Sequence, residues 1–135
     1  MREGLKEALK ARQKAYIPYS KFGVGCAILL KNGTYVHGAN IENISYGLTC
    51  CAERNGLFSL ISQGYKKEDI KELFIIGDTG EKAISPCGAC RQVILELCPI
   101  DTKITLSNLD GSHIIETTIT ELLPYAFDEF EEDEQ

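Results

Sequence analysis

The sequence predicts an α/β domain of three layers (α/β/α), with helices on both faces of one mixed sheet of about five strands. Three observations carry this reading. Segments of helical and strand-like character alternate in the order α-β-β-α-β-α-β-β-α, the alternation that builds layered α/β domains. The pair Asn32-Gly33 stands between two apolar runs and is a strong hairpin signal, so at least one strand pair is antiparallel. The 135 residues are 44 % hydrophobic and 25 % charged, which suits a chain with a single core.

Each element follows from its residues. Leu5, Ala8, Leu9, Arg12 and Tyr16 recur at helical spacing and predict an amphipathic helix over 2–16. Pro18 disfavours a helical residue before it and ends that helix. Residues 23–31 read as a buried strand, and 34–39 return from the hairpin as a second. A loop over 40–48 leads to a helix over 49–63, with Thr49 as its N-cap. The run 72–77 is a short buried strand. Ser85 and Pro86 open the next helix as N-cap and first turn; it runs to Leu97 and stops before Pro99. Residues 103–107 form a strand, 108–111 a turn, 112–119 another strand, and 120–127 a short helical end interrupted by Pro124. Residues 1–127 are expected to form one domain, and 128–135 an acidic, solvated tail.

Charge narrows the function classes. The formal net charge is −6, and six of the twenty acids lie in 128–135 with no base among them. That leaves fourteen acids against fourteen bases in the body, without the basic footprint of a polynucleotide binder. There is no apolar run long enough to span a membrane. The charged N-terminus lacks the apolar core of a signal peptide, so the expected compartment is the cytoplasm. In a reducing compartment the six cysteines are not expected to form disulfides. Cys26 and Cys98 sit in apolar runs and read as core residues, whereas the clustered ones suggest metal or redox chemistry. His37 and His113 lie outside any motif and read as surface residues rather than ligands.

Two pieces carry chemistry: Cys51-Ala52-Glu53 and Pro86-Cys87-Gly88-Ala89-Cys90. Both lie at predicted helix starts, where the helix dipole favours the thiolate, the form that binds metal. Cys87 and Cys90 at i and i+3 can face one point. Cys51 adds a third sulfur, and three protein ligands leave a fourth position open, as in catalytic zinc sites. Glu53 is then the acid/base candidate beside an activated water. On a regular helix, however, positions two apart diverge by roughly 200°. Cys51 and Glu53 can therefore share a site only if Cys51 lies where the backbone enters the helix.

These motifs match the zinc-deaminase signature in its three-cysteine form. The chain also resembles the short cytidine deaminases over nearly its whole length. The matching stretches are Pro18-Tyr19-Ser20-Lys21-Phe22, Asn40-Ile41-Glu42-Asn43, Cys51-Ala52-Glu53-Arg54, Ser85-Pro86-Cys87-Gly88-Ala89-Cys90-Arg91-Gln92 and Glu121-Leu122-Leu123-Pro124.

The resemblance implies a cytidine deaminase-like fold. It also implies hydrolytic deamination of free cytidine and deoxycytidine to uridine and deoxyuridine plus ammonia, within pyrimidine salvage. One zinc per subunit would rest on Cys51, Cys87 and Cys90, with Glu53 moving protons. Phe22 would pack near the nucleoside, and Asn40 and Glu42 would hydrogen-bond the ribose. Phe127 would stack on the pyrimidine from a neighbouring subunit, and Tyr46 resembles another cross-subunit contact. The expected assembly is a homotetramer with shared active sites, with neither nucleic acid nor membrane as partner. Arg54 and Arg91 would hydrogen-bond ligand sulfurs and offset the negative charge of three thiolates, which otherwise weakens zinc as a Lewis acid.

Three residues depart from this pattern or strain it. Tyr125 stands where the family often has Gly, and bears on where Phe127 is placed. Cys50 beside Cys51 is an alternative ligand. Gly56 weakens its helix by up to about 1 kcal/mol relative to Ala, and is expected to permit close packing near the metal.

Other readings remain open on the residues alone. Cys87-Gly88-Ala89-Cys90 after a strand is also a thioredoxin-like placement. A fourth sulfur from Cys50 would make the site structural. Within deaminases, a nucleotide, a nucleic acid or an antibiotic nucleoside is a rival substrate.

Overall fold

A computed structural model describes residues 1–129. Five strands form one sheet: β1 (Val24–Leu30), β2 (Tyr35–Ala39), β3 (Ile70–Gly77), β4 (Lys103–Asn108) and β5 (Ile114–Thr117). Their spatial order is β2-β1-β3-β4-β5. Only β3 and β4 run parallel; the other pairs are antiparallel, so the sheet is mixed as expected. The helices are α1 (Glu3–Arg12), α2 (Ala52–Ser62), α3 (Gly88–Leu97) and the single turn α4 (Ile119–Leu122). Among the described residues, no helix is long and apolar enough to cross a membrane. The acidic tail predicted over 128–135 lies, beyond Glu129, outside the described residues.

The period-2 alternation of β3 explains the layering. Phe74 and Ile76 pack with Leu5, Ala8 and Ala27, under α1 on one face. Leu73 and Ile75 pack with Ile28, Leu57, Leu60, Ile94 and Leu106, under α2 and α3 on the other. A strand covered on both sides reads as a continuous apolar run, which is why residues 73–77 (LFIIG) are all buried. Each fully buried Leu or Ile contributes roughly 1.5–3 kcal/mol. One close approach fixes α2 on the sheet. A Cβ on Gly38 would lie 2.3 Å from the Ala52 carbonyl and 2.4 Å from the Gly56 nitrogen. Glycine faces glycine here, and the start of α2 sits almost on the backbone of β2.

Strand bounds shift by a few residues and the last helix is only Ile119–Leu122, and three further helix boundaries differ in ways that bear on the site. The first helix ends at Arg12 rather than Tyr16, because Tyr16 is drawn into a bridge: its N–H donates to Asn40 O at 2.9 Å, and its carbonyl accepts from Glu42 N at 2.9 Å. The second begins at Ala52 rather than Thr49. Cys50 pairs with Ile41 (N–H···O 2.9 and 3.0 Å), which keeps the preceding chain extended, and Cys51 rather than Thr49 is the N-cap residue. The third begins at Gly88 with Cys87 at the N-cap position, so Ser85 and Pro86 lie before it rather than within its first turn.

Candidate active site

The corrected helix starts resolve the angular problem. Cys51 and Cys87 occupy N-cap positions with extended backbone (φ −70°, ψ 157° and φ −68°, ψ 168°). Neither is bound by helical periodicity. Cys51 turns toward the start of α3 while Glu53, the second residue of α2, still reaches the same space. The sulfurs of Cys51, Cys87 and Cys90 all lie within 4.8 Å of one another. Cys51 and Cys87 sulfurs are 3.8 Å apart and those of Cys87 and Cys90 3.4 Å. Thiolates at about 2.3 Å from one tetrahedral ion stand about 3.8 Å apart, so the cluster fits a zinc-sized ion. Cys50 is not part of it, and all six cysteines are free.

Two helix N-termini converge on this cluster, and both favour negative charge. The Cys51 thiol is brought down to about 5, chiefly by a hydrogen bond from Cys90, with help from the Arg54 guanidinium and Cys87. Cys90 is pushed well up by the same bond and by burial. Metal binding requires these sulfurs as thiolates, so it would release protons. Arg54 Nη2 donates to Cys51 Sγ at 3.3 Å. Glu53 is 4 % exposed, and that burial pushes its carboxyl up to about 7, with the Cys51 charge adding to the rise. A carboxyl poised there can both accept and donate a proton at neutral pH.

A cavity of about 430 Å³ opens in front of the cluster. Its walls include Phe22, Asn40, Thr49, Cys51, Glu53 and Cys87. A second cavity of about 300 Å³ is lined by Tyr19, Ser20, Glu42, Tyr46 and Thr49. Thr49 forms part of both. One sulfur at the start of α2, two at the start of α3, a buried carboxyl beside them and a cavity in front describe a hydrolytic metal site.

Comparison with known proteins decides the family. The family model for the cytidine and deoxycytidylate deaminase zinc-binding region matches residues 1–106. The chain belongs to this deaminase family. It is 54 % identical to a cytidine deaminase of Halalkalibacterium halodurans over 91 % of this chain and 90 % of that one. It is 50 % identical to a cytidine deaminase of Sporosarcina psychrophila over 91 % of this chain and 88 % of the relative. The crystal structure of a Burkholderia pseudomallei cytidine deaminase superposes with a TM-score of 0.88 at 43 % identity, covering 94 % of this chain and all of that one. The fold is therefore that of the cytidine deaminases, and zinc is the metal suited to Cys51, Cys87 and Cys90.

The remaining expected residues divide. Phe22 and Asn40 line the deaminase cavity itself. Asn40 Oδ1 accepts from Val24 N (2.9 Å), and its Nδ2 donates to Phe22 O (2.8 Å), so the amide also ties down the loop before β1. Glu42 and Tyr46 line the adjoining cavity. Phe127 lines neither; it is 69 % exposed, held by a hydrogen bond from Gln92 Nε2 to its carbonyl (2.9 Å). Arg91 was expected on a ligand sulfur, but its hydrogen bonds go elsewhere. Its guanidinium donates to Pro86 O (2.8 Å), Ser85 Oγ (2.6 Å) and Leu122 O. It braces the approach to Cys87 against α4. His37 pairs with Glu7 (2.8 Å) on the surface, and His113 lies beside Ser112 (3.0 Å).

The sequence reading missed the opposite wall, formed by Thr79, Lys82, Ala83, Ile84 and Ser85. It also missed Thr49, which was read as an N-cap. The displaced helix start was the only signal that could have freed Thr49 for the cavity.

Proposed function

We propose that this chain is a zinc-dependent cytidine deaminase, hydrolysing free cytidine and deoxycytidine to uridine and deoxyuridine with release of ammonia. One observation carries the reading. Three sulfurs lie within 4.8 Å of one another, and two of them, Cys51 and Cys87, line a cavity together with the buried Glu53 carboxyl, which burial pushes up to about 7. Zinc held by Cys51, Cys87 and Cys90 supplies Lewis acidity, bringing the pKa of a water toward neutrality.

The chain's own groups do the rest. Glu53 accepts a proton from the attacking water and passes it to N3 of the pyrimidine. As C4 gains oxygen and loses its amine, the same carboxylate carries the second proton to the departing nitrogen. Arg54 draws charge from the Cys51 sulfur and so keeps three thiolates from quenching the metal. Phe22 and Asn40 flank the nucleoside, with the ribose directed toward Asn40 and Glu42. The balanced charge of residues 1–127 supports a free nucleoside over a polynucleotide, whose backbone would need a positive track.

The same reading includes a cytoplasmic role in pyrimidine salvage and a homotetramer whose subunits share active sites. The exposure of Tyr46 (75 %) and Phe127 (69 %) supports the shared site, since both aromatics stay largely uncovered among the described residues. The test is the ultraviolet absorbance of cytidine mixed with zinc-loaded protein, repeated after chelation. A fall in cytidine absorbance with release of ammonia, lost on chelation, is expected. No change, with zinc bound and the protein folded, would sink the reading.

A further inference from the structure

The loop that carries Phe22 to the cavity is tied down at one hydroxyl. Ser20 Oγ accepts the Phe22 N–H at 2.9 Å and donates to the Glu42 carboxylate. The other Glu42 oxygen accepts the N–H groups of Tyr19 and Ser20, each at 3.1 Å. Beyond Phe22, Asn40 closes the lacing with its bonds to Phe22 O and Val24 N. Between Ser20 and Phe22 the chain is bent into a shape it does not favour. Lys21 has φ 61°, a left-handed conformation that a lysine enters only at an energetic cost. Such strain persists only where surrounding bonds over-determine it, and it gathers at ligand clamps. Here the surrounding bonds run to Glu42 and Asn40, the two polar side chains expected at the ribose.

We infer that Ser20 is a positioning residue for nucleoside binding: its hydroxyl sets the pose of Phe22 and, at the same time, the orientation of the Glu42 carboxylate. No other side chain among the described residues is hydrogen-bonded to both. The bond from Ser20 also leads the causes that hold the Glu42 carboxyl below its ordinary range, so the acceptor presented beside the ribose is the charged form. The role is in binding and not in proton transfer, because Ser20 borders the Glu42 cavity and not the one that holds Glu53. The inference rests on the nucleoside reading of the pocket.

The experiment is steady-state deamination of cytidine by zinc-loaded S20A, S20T and K21G, with zinc content and melting temperature measured on each. S20A is expected to raise KM about 10-fold, the cost of one bond to a charged group, with kcat within about two-fold and zinc retained. S20T, which restores the hydroxyl, is expected to bring KM back to within about two-fold of the parent. A residue that only stabilises the turn would lower the melting temperature and leave KM where it was, and that result overturns the inference. So does a rise in KM for K21G as large as that for S20A, since K21G keeps the hydroxyl and loosens only the backbone. Should S20A fail to fold, S20C takes its place: the thiol keeps the size and weakens the donor, and an unchanged KM again overturns the inference. Absence of cytidine turnover by the unaltered protein overturns the nucleoside reading and this inference together, whereas normal turnover with an unchanged S20A KM removes this inference alone.

Discussion

Cys51, Cys87 and Glu53 stand at the starts of two helices pressed onto the sheet, whereas Tyr46 and Phe127, expected beside the same substrate, stand on a single helical turn and a chain end. Glu53 is 4 % exposed and Phe127 69 %. At the metal end, every functional side chain is fixed by backbone that the core already immobilises. At the aromatic rim, Tyr46 meets the edge of Tyr19 and Phe127 is held through its carbonyl, and both rings stay largely exposed among the described residues. The difference teaches that the reactive centre can be judged from one chain, whereas the role proposed for the rim has to be tested on the assembled protein.

The largest effect expected from breaking this contrast is at Glu53. Glu53→Gln keeps the size and the burial but cannot shuttle protons. Turnover of cytidine should fall by about 10³-fold or more, the upper range for loss of a general acid–base group. Zinc content, measured by metal analysis, should be unchanged, because none of the three sulfurs is altered. A variant retaining a tenth of the activity would remove Glu53 from the chemistry.

The same burial predicts a pH dependence of stability in metal-free protein. The folded-state carboxyl titrates at about 7 against an ordinary 4.5, so between these values the folded state holds a proton that the unfolded state has lost. Stability from this group is therefore full below about pH 4.5, declines as pH rises, and is lost above 7. The size is about 3 kcal/mol at 1.36 kcal/mol per unit. Cys51 works in the opposite sense, since its folded value of about 5 lies below the usual 9 and adds stability as pH rises through that interval. Comparing apo wild type with apo Glu53→Gln by denaturant unfolding at pH 5 and pH 7.5 isolates the carboxyl. Parallel pH slopes would show that Glu53 is solvated, and the buried end would then differ less from the rim than its geometry indicates.

The two regions also differ in how far the sequence discloses them. The metal end was legible because its chemistry is written in short spacings: Cys-x-x-C, a preceding proline and a Cys-Ala-Glu tripeptide. The fold was legible through the apolar run of β3 and the Asn32-Gly33 turn. What failed were the helix starts. Thr49 and Ser85 are good caps by local preference, but the Ile41–Cys50 bridge holds the chain extended before α2, and Arg91 braces the segment before α3. These contacts lie outside the i to i+4 pattern of a helix, and local propensity does not register them. The Arg91 expectation failed for the same reason, since its acceptors at Pro86, Ser85 and Leu122 exist only once the chain has folded.

At the rim the expected effect is smaller and falls on binding. If Phe127 covers the base in a neighbouring subunit's pocket, Phe127→Ala should raise KM for cytidine about 10-fold, near the low end for loss of a base-stacking aromatic. Zinc content should stay constant, and kcat should change less than KM. An unchanged KM would mean that the rim contributes no stacking surface, and the contrast between the two regions would become one of function against idle surface.

The smallest effect separates a covered rim from a bare one. Tyr125 has φ 54°, in the left-handed region, with its ring wholly exposed in the single chain. For an L-residue with a Cβ this conformation costs roughly 1–2 kcal/mol, which glycine avoids while losing more backbone entropy on folding. Tyr125→Gly should therefore stabilise the protein by a net of about 0.5–1 kcal/mol, seen as a rise in melting temperature of about 2–4 °C. That sign holds only if the ring makes no contact in the assembled protein. A fall in melting temperature that grows as the protein is diluted would show that the ring packs on another copy. The strain at Tyr125 would then be the cost of an interface, and Phe127, two residues further on, would be aimed by that contact rather than by its own chain.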